Sequence, residues 1–274
     1  MEKRNKNGLT EKEFLEQYNP GDWERPSVTV DMMVTRMKKD LSCMQILLIQ
    51  RGDHPYLGSF ALPGGFVDIR ESAYESACRE LKEETNLTNV YLEQVYTMSQ
   101  PNRDPRMRII DIAYLALLPY EQNSEVKAGD DARDALWFDI HLTNESMKLV
   151  NKEKNIEIEY KLDKHVFKNG KIEIENYVPT LNSKEILAFD HSEIILEGLM
   201  RLKNKIMYTD VAFNLVPEEF TLPDLQKVYE LILGKDLYKA NFREAVAHKI
   251  IEIDKKGKPI SGRRVSKMYR YRGV

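Results

Sequence analysis

Three glutamates, Glu80, Glu83 and Glu84, stand at i, i+3 and i+4 in the run Arg79-Glu80-Leu81-Lys82-Glu83-Glu84. On a helix this spacing puts them on one face. Like charges so placed oppose helix formation by roughly 0.2–0.5 kcal/mol per neighbouring pair. Two readings are open at this level: a solvated acidic face, or a face neutralised by a divalent cation. Carboxylate oxygens suit hard cations such as Mg²⁺ or Mn²⁺, and Mg²⁺ commonly takes one or two carboxylates together with waters and a substrate phosphate. Upstream, Gly64-Gly65 supplies backbone that a ligand can approach closely, since no Cβ intervenes. Glu71 is the natural partner for the guanidinium fork of Arg79.

The elements that must position these residues are legible in the hydrophobic pattern. Ser27–Arg36 alternates as a strand and Met44–Arg51 reads as a more buried one. A loop with Gly and Pro fills Gly52–Gly65, and a helix runs from about Glu71 to Thr85 with Ala73, Ala77, Cys78 and Leu81 as its apolar stripe. Val90–Ser99, Arg108–Leu118 and a short Ala135–Phe138 read as further strands. Ile156–Leu162, Val166–Phe167 and Ile172–Ile174 surround Lys168-Asn169-Gly170-Lys171, a hairpin signal. This predicts a β-meander of about residues 155–178 inserted before a helix Asp190–Lys205, for which Asp190 is the expected N-cap and His191 a structural residue. Strands alternating with an early helix imply a mixed α/β layered structure.

Read as one pattern, Gly65, five residues, Glu71, seven residues, Arg79-Glu80-Leu81-Lys82-Glu83-Glu84, one residue and Asn86-Leu87 resembles the signature of the Nudix hydrolases. One position departs: Asn86 stands where that family has Gly, and a left-handed C-cap accepts Asn as its second choice. The resemblance implies an α/β/α sandwich on a mixed sheet and hydrolysis of a nucleoside diphosphate derivative with Mg²⁺ or Mn²⁺. It implies Glu80 and Glu84 as metal ligands with the Gly64 carbonyl, Glu83 as a third metal ligand or a water-activating residue, and Arg79 with Glu71 as an orienting pair. Such a metal polarises the phosphoryl oxygen and lowers the pKa of bound water. Arg103-Asp104-Pro105-Arg106, Gly129-Asp130-Asp131-Ala132 and Trp137-Phe138 are similar to the ADP-ribose-directed subgroup, which includes Nudix-related transcriptional regulators of NAD metabolism. Arg103 and Arg106 are candidate phosphate or ribose contacts, and Tyr56 and Phe60 candidate stacking partners for a base. Glu121, Glu125, Asp130 and Asp131 are candidates for an additional catalytic base.

The last part of the chain changes character. From Lys235 onward twelve Lys/Arg face four acids, so this tail carries +8 and the preceding residues −11, which suggests two jobs, one with a polyanion. Thr221 precedes Pro223 and Asp224 as a helix start, Gly234 stops that helix, Lys239–Lys249 is a second helix, and Ile250–Ile253 and Met268–Tyr271 are strands around a basic loop. That order is a winged helix-turn-helix, and its fusion to a Nudix domain is what the regulator subgroup has. Lys239, Asn241 and Arg243 would then face DNA from the recognition helix, and Arg263, Arg264 and Lys267 from the wing. A protein-interaction module or a lid over the active site is the competing reading of the tail. The expected division is an N-terminal extension 1–26, a Nudix domain 27–206 and a winged helix domain 207–274. The expected partners are a nucleotide-sugar substrate, double-stranded DNA and a second copy of the chain. A ligand-sensing regulator without catalysis is the alternative function. Two cysteines, Cys43 and Cys78, exclude a disulfide framework, and the absence of a signal-peptide pattern or a long apolar run points to the cytoplasm and away from a membrane.

Overall fold

The structure is a computed structural model that describes residues 3–22, 24–86, 88–120 and 132–273. A short helix α1 (Glu11–Gln17) precedes the sheet, opened by a capping box in which Thr10 and Glu13 satisfy each other's backbone N–H groups. The Thr10-x-x-Glu13 signal lies in the sequence, within the expected N-terminal extension 1–26. β1 (Ser27–Met37), β2 (Met44–Arg51), β3 (Phe60–Ala61) and β4 (Gly64–Phe66) lead into α2 (Ala73–Thr85). β5 (Tyr91–Met98), β6 (Ile109–Leu118), β7 (Ala132–Leu142), β8 (Ser146–Asn151), β9 (Ile156–Asn169) and β10 (Ile172–Leu181) follow, then α3 (His191–Lys205).

These strands form one mixed sheet in the order β10-β9-β8-β7-β2-β1-β6-β5, with β3 on β2 and β4 on β1. β1 runs parallel to β6 and antiparallel to β2. Successive side chains on a strand point to opposite faces, and the core divides accordingly. Val30, Met32 and Val34 of β1, Leu47 of β2 and Tyr114, Ala116 and Leu118 of β6 pack with Ala77 and Leu81 of α2. Met33, Met37, Ile46, Leu48, Leu115 and Leu117 face the other way, onto Ile194, Ile195, Leu196 and Leu199 of α3. A sheet buried on both faces between α2 and α3 is the α/β/α sandwich expected.

Three local expectations change. The meander is an edge of the main sheet and not a separate insertion, because β8 pairs with β7 and β9 with β8. β7 is eleven residues long where a short strand was read, since pairing along β2 supports a stretch whose own pattern is weak. On α2 the buried positions are Ser76, Ala77, Leu81 and Thr85, while Cys78 is exposed. Ser76 is tolerated inside because its hydroxyl donates to Glu71 Oε2 at 2.7 Å.

After α3, a 3₁₀ turn (Val211–Leu215), β11 (Phe220–Thr221), α4 (Leu222–Leu233), α5 (Lys239–Ala247), β12 (Ile250–Gly257) and β13 (Ser266–Tyr271) build the winged helix, with sheet order β11-β13-β12. Thr221 caps α4 and Gly234 ends it in a left-handed conformation, as its sequence indicates. α5 stops at Ala247, earlier than expected, and both wing strands are longer than read because they pair with each other. Leu225, Val228 and Tyr229 of α4 belong to the same apolar cluster as α3 and the sheet, so one core runs through both parts. Among the described residues no helix is long and apolar enough to cross a membrane.

Candidate functional site

Ser72 opens α2 by a capping box with Glu75, and Asn86 closes it at φ 56°, its N–H donating to the Lys82 carbonyl at 2.8 Å. Asn therefore does at this position what Gly does in the signature. With Ala77 and Leu81 turned into the core, Glu80 and Glu84 come to the helix edge that meets β4. There Gly64 pairs with Asp31 and Gly65 with Val30 of β1. A Cβ on Gly65 would stand 2.2 Å from Glu80 Oε1, and one on Gly64 2.2 Å from the Val30 carbonyl oxygen. At Gly64 the obstacle is backbone, so glycine is required there, whereas at Gly65 a side chain would displace the Glu80 carboxylate from its place.

Arg79 organises the carboxylates. Its Nε donates to both oxygens of Glu71 at 3.1 Å, and its Nη1 to Glu80 at 2.8 Å and Glu83 at 3.1 Å. These bonds, first the one to Glu80, raise the Arg79 pKa further despite its partial burial. Burial raises the Glu80 carboxyl above the ordinary range, with help from the charges of Glu83 and Glu71 and against the pull of Arg79.

Asp31, Gly64, Gly65, Glu80 and Glu84 line one wall of a cleft of about 380 Å³. Glu83 does not line the cleft: it is exposed and shares the Arg79 Nη1 with Glu80. Among the described residues no three His, Cys, Asp or Glu side chains lie close enough to hold a metal unaided. The donors here are nevertheless hard oxygens, the carboxylates of Asp31, Glu80 and Glu84 and backbone, and such a set suits a divalent cation that completes its shell with water and substrate phosphate.

Arg51, Arg106, Phe66 and Phe189 line the same cleft. Arg51 lies over the Phe189 ring at 5.0 Å, and Arg106 stands 5.8 Å from Phe189 and 5.5 Å from Phe66. Two cations among two rings form a surface for anionic and planar groups. Neither Arg51 nor Phe189 was expected in the site from the sequence. Phe189 adopts φ 51°, which nothing in its neighbours announces, and Arg51 only continues a strand.

Of the residues expected to contact substrate, Arg106 is half-exposed in the cleft and paired with Asp104 at 2.8 Å. Arg103 is buried: its fork grips Asp190 at 2.6 and 2.9 Å and lies 3.6 Å from Asp31. Asp190 accordingly makes no cap bond to α3, a correction to its expected role. His191 accepts the Leu62 N–H on Nδ1 and places Nε2 3.3 Å from Asp31, the structural role expected. Phe60 is a further correction. It is 2% exposed and packed edge-on against Phe138, so it belongs to the core and cannot stack a base. Tyr56 packs against the edge of Phe189 at 4.8 Å. Glu121, Glu125, Asp130 and Asp131, with Leu87 and Gly129, lie outside the described residues.

Beneath the cleft, Asp111 is fully buried with Thr29 Oγ1 donating to it at 3.0 Å. Burial, then the charge of Asp31, raises its pKa well above the ordinary range. Burial also pushes Asp31 up, but His191, Asp111 and Arg103 more than reverse this and hold it low. A carboxyl with a raised folded pKa makes stability fall as pH rises from the unfolded value near 4 through the folded one. Asp111→Asn is neutral throughout, so urea titrations across this window are expected to show a smaller fall for the variant than for the wild type. Parallel curves would place the charge on Asp111 at neutral pH.

At the other end of the molecule, Asp224 accepts the N–H and hydroxyl of Ser261, both at 2.9 Å, which pins the wing to the start of α4. α5 buries Phe242 and Val246 and leaves Lys239, Asn241 and Arg243 exposed. Arg263 and Arg264 are exposed and make no ion pair among the described residues, whereas Lys267 pairs with Glu252 at 2.7 Å. Lys255 and Arg270 both bond Glu219. The free cations are therefore concentrated on α5 and the tip of the wing.

Residues 25–157 match the NUDIX domain family, and residues 212–271 match the NrtR DNA-binding winged helix domain. The chain is 32% identical over 267 residues to the ADPR responsive transcriptional repressor NtrR of Acinetobacter baylyi, covering 97% of this chain and 90% of that protein. Its structure is similar to a MutT/nudix family protein from Enterococcus faecalis, at 32% identity and a TM-score of 0.77 over 96% of this chain and 94% of the other. It is also similar to Shewanella oneidensis NrtR in complex with a 27mer DNA, at 27% identity and a TM-score of 0.65 over 89% of this chain and 93% of the other.

Proposed function

Because the chain belongs to the NrtR family, in which a Nudix domain is joined to a C-terminal winged helix, we propose that it hydrolyses the diphosphate of ADP-ribose and binds double-stranded DNA. The observation that carries the catalytic part is the meeting of Glu80, Glu84 and Gly64 in one cleft that is also lined by the cationic and aromatic side chains of Arg51, Arg106, Phe66 and Phe189. In this reading Glu80 and Glu84, with the Gly64 carbonyl, hold Mg²⁺ or Mn²⁺. When bound, the cation neutralises charge on the diphosphate and activates water. Arg79 orients Glu80 through its bond at 2.8 Å and is itself oriented by Glu71. Glu83, outside the wall, is assigned to the water-activating role. Arg51 and Arg106 attract the diphosphate, and the rings of Phe66 and Phe189 exclude water from it.

The products would be AMP and a ribose phosphate. A screen of nucleoside diphosphate derivatives with Mg²⁺ and with Mn²⁺, reading AMP release, tests the assignment. Equal rates with ADP-ribose and an unrelated nucleoside triphosphate would count against the substrate.

Loss of an arginine that holds substrate and transition state alike raises KM and spares kcat. Arg106→Ala is therefore expected to raise KM for ADP-ribose much more than it lowers kcat, and a drop confined to kcat would remove Arg106 from the binding surface. Arg103 is proposed as a support of this wall, since its buried fork ties the Arg106 loop to the start of α3.

A ligand-sensing regulator without turnover is the second reading. It is favoured by one observation: the Acinetobacter relative, similar over nearly the whole chain, is named a repressor responsive to ADPR. Binding of ADP-ribose without AMP release in the same screen would select it. We further propose the division 1–26, 27–206 and 207–274, supported by β1 beginning at Ser27 and α3 ending at Lys205. A homodimer in the cytoplasm completes the reading: winged helices of this kind act on paired half-sites, and the two cysteines are unbridged.

A further inference from the structure

The turn between β1 and β2 departs from the economy of an ordinary surface turn. Leu41 adopts φ 53°, a conformation uncommon for a residue with a Cβ, yet its side chain is 2% exposed within the cluster that includes Leu225 and Val228 of α4. Strain of this kind persists where the surroundings over-determine the backbone. The turn is closed by the Leu41 N–H donating to the Lys38 carbonyl at 2.8 Å and the Lys38 N–H donating to the Cys43 carbonyl at 2.9 Å. Lys39 and Asp40 form its tip, and both are exposed.

What the tip faces is informative. Asp40 and Leu41 line a cleft together with Pro223 at the start of α4, Lys239 and Arg243 of α5 and Ser261 of the wing. The start of α4, α5 and the wing are the three parts a winged helix presents to a duplex, and the Nudix part of the chain is held at their junction. The charges there are unequal in freedom. Lys38 is tied to Asp139 at 2.7 Å, whereas the exposed Lys39 makes no ion pair among the described residues. The Asp40 carboxylate is drawn back by the Ser42 N–H at 3.0 Å and hydroxyl at 2.6 Å. Glu230, on the same cleft, accepts from Gln226 and from the Leu237 N–H. The acids are engaged by neighbours, while Lys239 and Arg243 on the cleft, and the exposed Lys39 next to Asp40 at its rim, remain for an external anion.

We propose that this turn is a further element of the DNA face, with Lys39 contacting a backbone phosphate beside the segment that α5 enters. The proposal rests on the DNA-binding reading and extends it from the winged helix to the Nudix domain. A phosphate contact positions the protein on the duplex and carries no sequence information.

The test is fluorescence anisotropy of the full chain with a labelled duplex of mixed sequence and with the DNA upstream of its own gene, over a series of NaCl concentrations. One lost phosphate contact lowers the magnitude of the log K versus log salt slope by about 0.9, which corresponds to roughly eightfold weaker binding at 0.1 M relative to a 1 M reference. Lys39→Ala is expected to show that change on both duplexes, Lys39→Arg to retain the wild-type slope, and Asp40→Lys to steepen it. ADP-ribose binding should be unchanged in all three, which also reports that they fold. If Lys39→Ala and Asp40→Lys leave affinity and slope as in the wild type while the Arg263→Ala, Arg264→Ala double variant alters both, the turn is not on the DNA face and the winged-helix reading stands without it. If the wild type binds no duplex in a salt-dependent way, the proposal falls together with the reading beneath it.

Discussion

Glu84→Gln is expected to remove most divalent-cation-dependent hydrolysis of ADP-ribose while leaving the fold intact. The substitution keeps the shape and hydrogen-bonding capacity of the side chain and removes its charge. A polarising metal contributes several kcal/mol of transition-state stabilisation. At about 1.36 kcal/mol per tenfold in rate, losing a large part of it costs on the order of a hundredfold or more. In the absence of metal the variant should be as stable as the wild type or slightly more so, since one i, i+4 like-charge pair with Glu80 disappears, worth roughly 0.2–0.5 kcal/mol. Addition of Mg²⁺ should then raise the Tm of the wild type more than that of the variant, because a ligand stabilises only the state that binds it. Turnover near the wild-type rate in Glu84→Gln would sink the assignment of this wall as a metal site. Equal Tm gains with normal loss of turnover would move the residue from cation binding to another step.

Replacing Arg263 and Arg264 together by Ala should weaken binding to every duplex by a similar factor and lower the magnitude of the salt slope by up to about 1.8, at 0.9 per phosphate contact. The structure sharpens the choice of these two. Both are exposed at the wing and make no ion pair among the described residues, while Lys267 pairs with Glu252 and Lys255 with Glu219. An exposed ion pair is worth little by itself, so Lys267 can still reach a phosphate, but releasing it first costs part of the gain. ADP-ribose hydrolysis should be untouched, since the glutamate wall lies in the other domain. Coupling between the two ligands is reciprocal: if ADP-ribose loosens the DNA complex, DNA must weaken ADP-ribose binding by the same factor. A change of affinity confined to one duplex sequence would assign the two arginines to base reading instead.

The helix that carries the glutamates was legible because its information is local. Helical periodicity, the Glu-x-x-Glu-Glu spacing and an Asn able to adopt a left-handed conformation all lie within one stretch, and α2 ends at Asn86 in the conformation its type allows. The winged helix was legible for the same reason, from the Thr221 cap, the Gly234 stop and a run of basic residues. Where strands depend on partners, the reading failed in proportion: β7 looked short and the meander looked like an insertion, because sheet membership is settled by pairing with β2 and β7 and not by the strand's own residues. Of the cationic and aromatic lining of the cleft formed by Arg51, Arg106, Phe66 and Phe189, only Arg106 was legible in the sequence. Arg51, Arg106 and Phe189 come from distant segments, and only the closure of the sheet against α3 brings them to Glu80 and Glu84. The same closure buries Phe60 and Arg103, one in the core and one on Asp190. By itself the sequence determined which residues could carry charge and where helices begin and end, since those depend on side-chain chemistry and near neighbours. The tertiary structure alone decided which of those charges share a cleft, because burial and ion pairing depend on segments far apart in the chain.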